Sequence, residues 1–201
     1  MKKGTIVILS IVAAVVLGIM WGVGINNKLV GAEENVSKAW SDVENQYKRR
    51  MDLIPQLMAT VQGAADFEIT GFTKVTQARS NASSVQMDPS NLSEADIAKF
   101  QQAQDALSSA LSHSINVVVE RYPELSATQA FRDMQAQLEG TENRIAVARQ
   151  RFNEEVNTYN RQLRIFPNNI IASLCGFEKK GYFTAPAEAE NPVEVRFDFD
   201  K

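Results

Sequence analysis

Few side chains in this sequence could perform chemistry, and their types and spacing argue against most kinds of active site. His113 is the only histidine and Cys175 the only cysteine. One histidine cannot supply the paired Glu-x-x-His motifs of a di-iron bundle or a histidine-rich zinc site, so we expect His113 to be a helix-surface or half-buried residue. We interpret Cys175 as a small apolar filler, with a reactive or lipidated thiol as the alternative. Without a phosphate loop or a nucleophile elbow in the sequence either, we predict no enzyme activity, no metal and no cofactor.

The polar residues with unusual placement are cations and asparagines. The stretch NQYKRRMDLIPQLM, residues 45–58, carries three consecutive cations and then Pro55 within a helical apolar pattern. A proline inside a helix removes one backbone hydrogen bond and costs roughly 3 kcal/mol, so this stretch needs a compensating contact. We interpret a set of asparagines near helical spacing as hydrogen-bond partners between helices, with a ligand-binding strip as the alternative: Asn143, Asn153, Asn157 and Asn160.

The N-terminus has the length and composition of a membrane anchor. Residues Thr5 to Ile25 carry no charge over 21 positions, enough to cross a hydrocarbon core about 30 Å thick at about 1.5 Å per residue. A cleaved signal peptide is the alternative, because small residues follow at 30–32, but the run exceeds the ~7–15 apolar residues of such peptides. Lys2 and Lys3 favour a cytoplasmic N-terminus, with the rest of the chain outside the inner membrane. Residues predicted to span the bilayer include Thr5, Ile6, Val16, Trp21 and Ile25.

Beyond the anchor, apolar residues recur at helical spacing. The first stripe runs from Val36 to Ala65, and Pro55 lies beside it, so a kink can bend this helix while its apolar face stays buried. A second, shorter helix is predicted from about Phe67 to Ser80, followed by a connector that contains Pro89.

Two longer helices follow. Ser93 is predicted to cap a third helix that runs to Tyr122, since Pro123 cannot continue it. A capping box at Ser126–Gln129 opens a fourth helix to about Ile165, whose apolar residues repeat every 3.5 positions as in a coiled coil. The predicted fold is therefore all-α: a transmembrane helix, then an antiparallel up-and-down four-helix bundle with long helices, then a short extended tail.

An antiparallel pairing of the first and fourth bundle helices aligns their levels. Both helices rise by the same distance per residue, so the numbers of two residues that face each other add up to about 193 at every level. Arg50 is therefore expected opposite Glu142. We predict a polar layer across the bundle, with a solvated charged face as the alternative, formed by Arg49, Arg50, Glu139, Glu142 and Asn143.

The same alignment brings Phe166 level with Asn27, where the first helix leaves the membrane. Segment 166–177 should therefore rest on the bilayer surface. The alternative is that its apolar residues cap the end of the bundle. Membrane-interface residues are predicted to be Phe166, Ile170, Ile171, Leu174 and Phe177.

The C-terminal residues PVEVRFDFDK alternate apolar and charged side chains, the period of a half-buried strand. A lone strand needs a partner for its backbone groups. We favour pairing with the tail of another copy in a homo-oligomer, and a groove of its own bundle or a solvated tail are the alternatives. The residues concerned are Val193, Val195, Phe197 and Phe199.

Several motifs together resemble the bacterial LemA family, and they cover almost the whole chain after the anchor. In chain order they are Asn35-Val36-x-x-Ala39-Trp40-x-x-Val43, Arg49-Arg50-x-Asp52-Leu53-Ile54-Pro55, Ala78-Arg79, Tyr122-Pro123-Glu124-Leu125, Leu138-Glu139-Gly140-Thr141-Glu142-Asn143-Arg144-Ile145, Ala148-Arg149, Phe152-Asn153, Tyr159-Asn160 and Phe166-Pro167. The resemblance implies a membrane-anchored, antiparallel four-helix domain and supplies no established activity.

Composition and organisation together limit the function. A net charge of −3 without a basic stripe argues against nucleic acid as a partner. We divide the chain into an anchor (1–28), a bundle (29–166), a membrane-proximal segment (167–184) and an extended tail (185–201). The predicted function is that of a membrane-anchored structural protein that self-associates or scaffolds other membrane proteins. An adaptor for a membrane protease or sensor is the alternative, and an enzyme is the least favoured.

Overall fold

The computed structural model describes residues 3–62 and 70–184, and every regular element within them is a helix. The helices are α1 (Lys3–Gln62), α2 (Thr70–Ser84), α3 (Glu94–Arg121), α4 (Pro123–Ser126), α5 (Gln129–Arg164) and α6 (Asn168–Cys175). The all-α class and the long apolar N-terminal helix are confirmed. The predicted tail strand, from Val193 to Phe199, lies outside the described residues.

Helix α1 joins the apolar N-terminal run to the first predicted bundle helix in 60 residues without a break. Its most apolar 18-residue window has a mean hydropathy of 2.8, and none of that window is buried in the protein. By length and composition this helix can cross a membrane. Among the residues predicted in the bilayer, Thr5, Ile6, Val16 and Trp21 are exposed, whereas Ile25 is buried at the base of the protein core.

The apolar core has two parts that follow one another along α1. In the proximal cluster, α1 from Ile25 to Tyr47 packs with α5 from Ile145 to Leu163. In the distal cluster, α1 from Leu53 to Val61 packs with α2, α3 and the start of α5. Helix α2 has only 15 residues, and its buried side chains belong to the distal cluster. It does not run the length of the domain as a fourth long helix would, so the predicted bundle of four long helices stays a prediction.

Helix ends follow the predicted capping chemistry with two corrections. Ser93 caps α3, its hydroxyl accepting a hydrogen bond from the Asp96 amide at 3.2 Å. The cap of α5 is Thr128 and not Ser126, because Pro123 starts the short helix α4, which includes Ser126. Helix α2 continues to Ser84, beyond the predicted end at Ser80. The Ser83 and Ser84 hydroxyls donate to the Ser80 and Asn81 carbonyls in the last turn of this helix.

Pro55 lies on the exposed side of α1, and the contact that compensates for it comes from α2. The proline has no N–H to donate to the carbonyl of Met51, four residues earlier. Arg79 of α2 fills that role, because its Nε donates to the Met51 carbonyl oxygen at 3.2 Å. The side chain of Arg79 thus ties α2 to the point where α1 loses a backbone hydrogen bond.

Candidate interaction site

Residues 178–184, here called the docked segment, leave α6 and run back along the bundle between α1, α3 and α5. Along this course the segment passes Glu33 and then Trp40 of α1, and the assignment of 167–184 to a membrane-proximal segment stays a prediction. The Tyr159 hydroxyl donates to the Glu178 carbonyl at 3.0 Å near its start, and Arg149 donates to the Thr184 carbonyl at 3.0 Å at its end. Burial raises the pKa of Tyr159, so this hydroxyl remains a proton donor at neutral pH.

Side-chain amides of three residues hold the backbone of the docked segment, each bonding both the N–H and the C=O of one residue. Asn160 pairs with Lys180 at 3.0 and 2.8 Å, and Asn153 pairs with Phe183 at 2.9 and 2.8 Å. Gln101 of α3 pairs with Thr184 at 3.0 and 3.1 Å. A side-chain amide presents a carbonyl oxygen and an N–H side by side. It can therefore make the pair of hydrogen bonds that a neighbouring strand would make to an extended peptide.

The spacing of Asn153 and Asn160 matches the rise of an extended chain. Seven helical residues rise about 10.5 Å, and three extended residues span about 10 Å. The pairing of Lys180 and Phe183 with these asparagines therefore keeps register along α5, and the docked segment runs antiparallel to that helix. The prediction that these two asparagines link helices is wrong, because both bond the docked segment.

Phe183 anchors the docked segment in an aromatic pocket of the proximal cluster. Its ring is 5% exposed, stacks on Trp40 at a centroid distance of 6.0 Å, and meets Phe152 edge-on at 5.4 Å. The Arg149 guanidinium lies 4.7 Å above the same ring. Aromatic and cation–π geometry of this kind adds roughly 0.5–1.5 kcal/mol per contact beyond the area that is buried.

Lys180 and Gly181 fit the groove through charge and close approach. The Lys180 ammonium lies 2.7 Å from a Glu33 carboxylate oxygen and donates to the Ser90 carbonyl at 2.6 Å, although its side chain is almost fully buried. A methyl group on Gly181 would lie 2.6 Å from the Cα of Glu94 and 2.9 Å from the carbonyl oxygen of Ser93. Since backbone atoms at a helix start cannot move aside cheaply, this position requires glycine.

Arg50 is buried at the level between the two apolar clusters. Its Nη1 lies 2.9 Å from Glu142 Oε1 and also donates to Ser108, and its Nη2 donates to the backbone and side-chain oxygens of Gln104. Among the other residues predicted for a polar layer, Glu139 and Asn143 line a cleft beside Glu142 between α3 and α5. Arg49 is exposed.

Segment 166–177, which contains α6, has some of the predicted membrane-interface residues exposed and others packed against the protein. Phe166 and Leu174 are 75% and 78% exposed, and Ile170 is about half exposed. Ile171 and Phe177 instead pack on the proximal cluster, and the Ile171 Cδ1 comes within 3.4 Å of the position a Cβ on Gly22 would occupy. Helix α6 therefore lies beside α1 at a residue that belongs to the uncharged run.

The remaining candidates occupy ordinary positions. His113 is exposed on α3, Cys175 is exposed at the end of α6, and Asn157 lines the cleft along the outer edge of the docked segment. Within residues 3–62 and 70–184, no three His, Cys, Asp or Glu residues are grouped so that they could hold a metal ion.

Sequence reasoning missed the two glutamines of α3 and the whole docked segment. Gln101 and Gln104 are buried, and with Ser108 they form a polar stripe beside the apolar stripe of α3. That stripe, at three- and four-residue spacing, is the signal that could have indicated them. No pattern in the sequence links Lys180 or Phe183 to asparagines that precede them by 20 and 30 residues.

Comparison with known proteins gives the family of the chain. Protein LemA of Metamycoplasma hominis is 25% identical over 163 residues, which are 81% of this chain and 70% of that protein. Magnetosome proteins MamQ 2 and MamQ 1 of Paramagnetospirillum magneticum are each 32% identical over 76 residues, 38% of this chain and only 28% of their own length. The family profile matches residues 39–197, well over half of the sequence. The exposed apolar helix is consistent with membrane association. Because the profile covers most of its sequence, this chain belongs to the LemA family.

Proposed function

We propose that this protein is a membrane-anchored structural protein that stands on the bacterial inner membrane, self-associates there and presents its helical domain to other membrane proteins. The observation that carries the proposal is the continuity of α1. The same helix supplies the exposed apolar run and, without a break, the stripe buried against α5. A hinge between anchor and domain would need a break in this helix, so the domain is held rigidly relative to the apolar run of the same helix.

Helix α6 supports the proposed position of the domain on the membrane. Its outward residues Ile170 and Leu174, and Phe166 just before it, are exposed, whereas Ile171 contacts α1 beside Gly22. An amphipathic helix in this position buries its apolar side at the boundary between headgroups and acyl chains. The domain would thus have two membrane contacts, a spanning helix and an interfacial helix.

The tail supports self-association. Val193, Val195, Phe197 and Phe199 have the pattern of a strand with one apolar face, and the family profile extends to residue 197. A strand of this kind is marginal without a partner. We propose that tails pair between copies in a homo-oligomer.

Purification of the full chain from its native membranes tests this function. We expect the protein to resist extraction by alkaline carbonate, to dissolve in mild detergent, and to migrate as a homo-oligomer in size-exclusion chromatography with light scattering. Mass spectrometry of co-purifying proteins separates a scaffold from an adaptor, which would yield one partner in fixed ratio. A monomer that leaves the membrane in carbonate would contradict the proposal.

The single cysteine allows a direct test of orientation. Cys175 is exposed, so a membrane-impermeant maleimide should label it in spheroplasts if the domain lies outside the inner membrane. Ser112→Cys in a Cys175→Ser background is the matched control, because residue 112 is exposed on α3 beside the distal cluster, far from α6. Labelling of both positions only after lysis would mean that the domain lies in the cytoplasm.

A further inference from the structure

Exposed cations gather at the end of the domain where α1 continues into its apolar run. This cationic rim consists of Lys28 on α1, Arg161 and Arg164 in the last turn of α5, and Lys179 in the docked segment. Within residues 3–62 and 70–184, none of the four forms an ion pair. The exposed acidic side chains at the same levels are Glu34 and Glu178. This end of the domain is therefore positive, although the whole chain has a net charge of −3.

The register between α1 and α5 gives the height of each cation. Numbers that face each other on these antiparallel helices add up to about 193, as the ion pair at the level between the two apolar clusters shows. By this register Arg164 lies about 1.5 Å above Lys28, and Arg161 lies about 6 Å above it. Lys179 adjoins the residue that pairs with Glu33, which is about 7.5 Å above Lys28. The cationic rim therefore occupies a layer about 8 Å deep.

This layer coincides with the headgroup region of a bilayer that α1 spans. Lys28 is the first charged residue after the uncharged run, so the hydrocarbon core ends at or just below it. A bilayer of about 40–45 Å with a hydrocarbon core of about 30 Å has headgroup layers of roughly 5–7.5 Å on each side. The phosphate groups of phospholipids lie in these layers, at the height of the cationic rim.

Exposed apolar side chains lie directly next to the cationic rim. Phe166 follows Arg164 by two residues, and Leu174 precedes Lys179 by five, and both apolar side chains are exposed. Helix α6 contacts α1 at Gly22, about 9 Å below Lys28. The surface thus has cations above and apolar groups below, in the order in which a phospholipid presents its phosphate and its acyl chains.

We propose that the cationic rim binds the phosphate groups of anionic phospholipids, whose acyl chains lie against the exposed residues of α6. The proposal rests on the membrane anchoring proposed above and names the class of lipid that the domain contacts. A zwitterionic lipid carries its own ammonium group, which offsets the phosphate charge, so cations without a partner favour anionic lipid. An arginine guanidinium can also bond two phosphate oxygens at once.

Competition between two lipids tests the proposal on the full chain. The protein, purified in mild detergent, is mixed with equal amounts of phosphatidylglycerol and phosphatidylcholine, and native mass spectrometry counts the lipids that it retains. We expect phosphatidylglycerol to be preferred. One cation near an anionic surface strengthens attachment about fivefold, so Arg161→Gln with Arg164→Gln should lower the preference about 25-fold. Lys28→Gln, on the other helix, should lower it about fivefold.

A matched control removes the same charge from α5 farther from the membrane. Arg144 and Arg151 are exposed, and by the same register they lie about 30 and 20 Å above Lys28. These heights exceed the screening length of about 8 Å at physiological salt, so Arg144→Gln with Arg151→Gln should leave the preference unchanged. Arg161→Lys with Arg164→Lys keeps the charge and should retain most of the preference. Circular dichroism checks that every variant keeps its helix content.

The outcomes separate the lipid site from the proposed function. Equal retention of the two lipids by the unaltered chain, or an equal loss of preference in the control pair, would overturn the cationic rim as the site. Loss of the preference in the lysine pair would overturn it too, because positive charge would then not be what the lipid recognises. If the chain meanwhile resists carbonate extraction, the membrane anchoring stands; a chain that carbonate releases contradicts the anchoring itself.

Discussion

Replacing Arg50 by alanine should destabilise the protein far more than neutralising its acidic partner. The Arg50 side chain is 1% exposed, and it satisfies Glu142, Ser108 and two oxygens of Gln104 at once. Truncation to alanine leaves the buried side-chain oxygen of Gln104 without its Arg50 donor and opens a void between the two apolar clusters. We therefore expect the free energy of unfolding to fall by about 3–5 kcal/mol. Glu142 is 44% exposed, and water can replace its part of the ion pair. Glu142→Gln should therefore cost no more than about 1 kcal/mol.

Urea unfolding of the full chain in mild detergent, followed by helical circular dichroism, measures both changes. The charge swap, Arg50→Glu with Glu142→Arg, should recover at most the small ion-pair part, because an arginine on the exposed side cannot reach Gln104. Equal losses for Arg50→Ala and Glu142→Gln would refute this reasoning, since the energy would then reside in the ion pair. A loss below about 1 kcal/mol for Arg50→Ala would show that the charge is solvated in the native protein.

Three further predictions concern backbone contacts and the membrane. Arg79→Ala should lower the free energy of unfolding by about 1 kcal/mol in the native sequence. In a Pro55→Ala background the loss should be clearly smaller, because residue 55 then has an N–H that can bond the Met51 carbonyl; additive losses in a double-mutant cycle would contradict this. Gly181→Ala should lower the free energy of unfolding by about 1–3 kcal/mol through overpacking, whereas Gly140→Ala, with open space around it in α5, should be neutral or stabilising; equal effects would show that the docked segment moves aside. Leu174→Asp should leave the melting temperature unchanged but weaken vesicle binding of a chain lacking residues 1–27; unchanged binding would exclude α6 from the membrane contact.

Periodicity and capping residues determined most of the fold in advance. The stripes of α1, α3 and α5 are buried nearly as predicted, from Val36 to Val61, from Ile97 to Val118 and from Phe131 to Leu163. These features are local, because a helix buries whichever face its apolar residues share, so spacing along the chain is sufficient. Level arithmetic also placed Arg50 opposite Glu142, because two helices with equal rise keep register once their connection is known.

The candidate site could not be predicted in the same way, because its contacts join residues without a shared period. The spacing of Asn153 and Asn160 would be the same if they bonded a helix, a ligand or an extended peptide. Their role depends on which group lies opposite them, and that is the backbone of Phe183 and Lys180. Residues 178–184 have neither helical nor strand periodicity, and only the three-dimensional arrangement brings Phe183 to Trp40.

The sequence by itself determined the long apolar N-terminal helix, the helical class, the family and the apolar faces, since each depends on composition or on neighbours within a few turns. Tertiary structure alone decided that Arg79 compensates for Pro55, that α6 divides its apolar residues between α1 and the exterior, and that side-chain amides replace a strand for the docked segment. Each of these depends on which backbone groups remain unpaired after the helices have packed, and that is a property of the packed molecule and not of any stretch of its sequence.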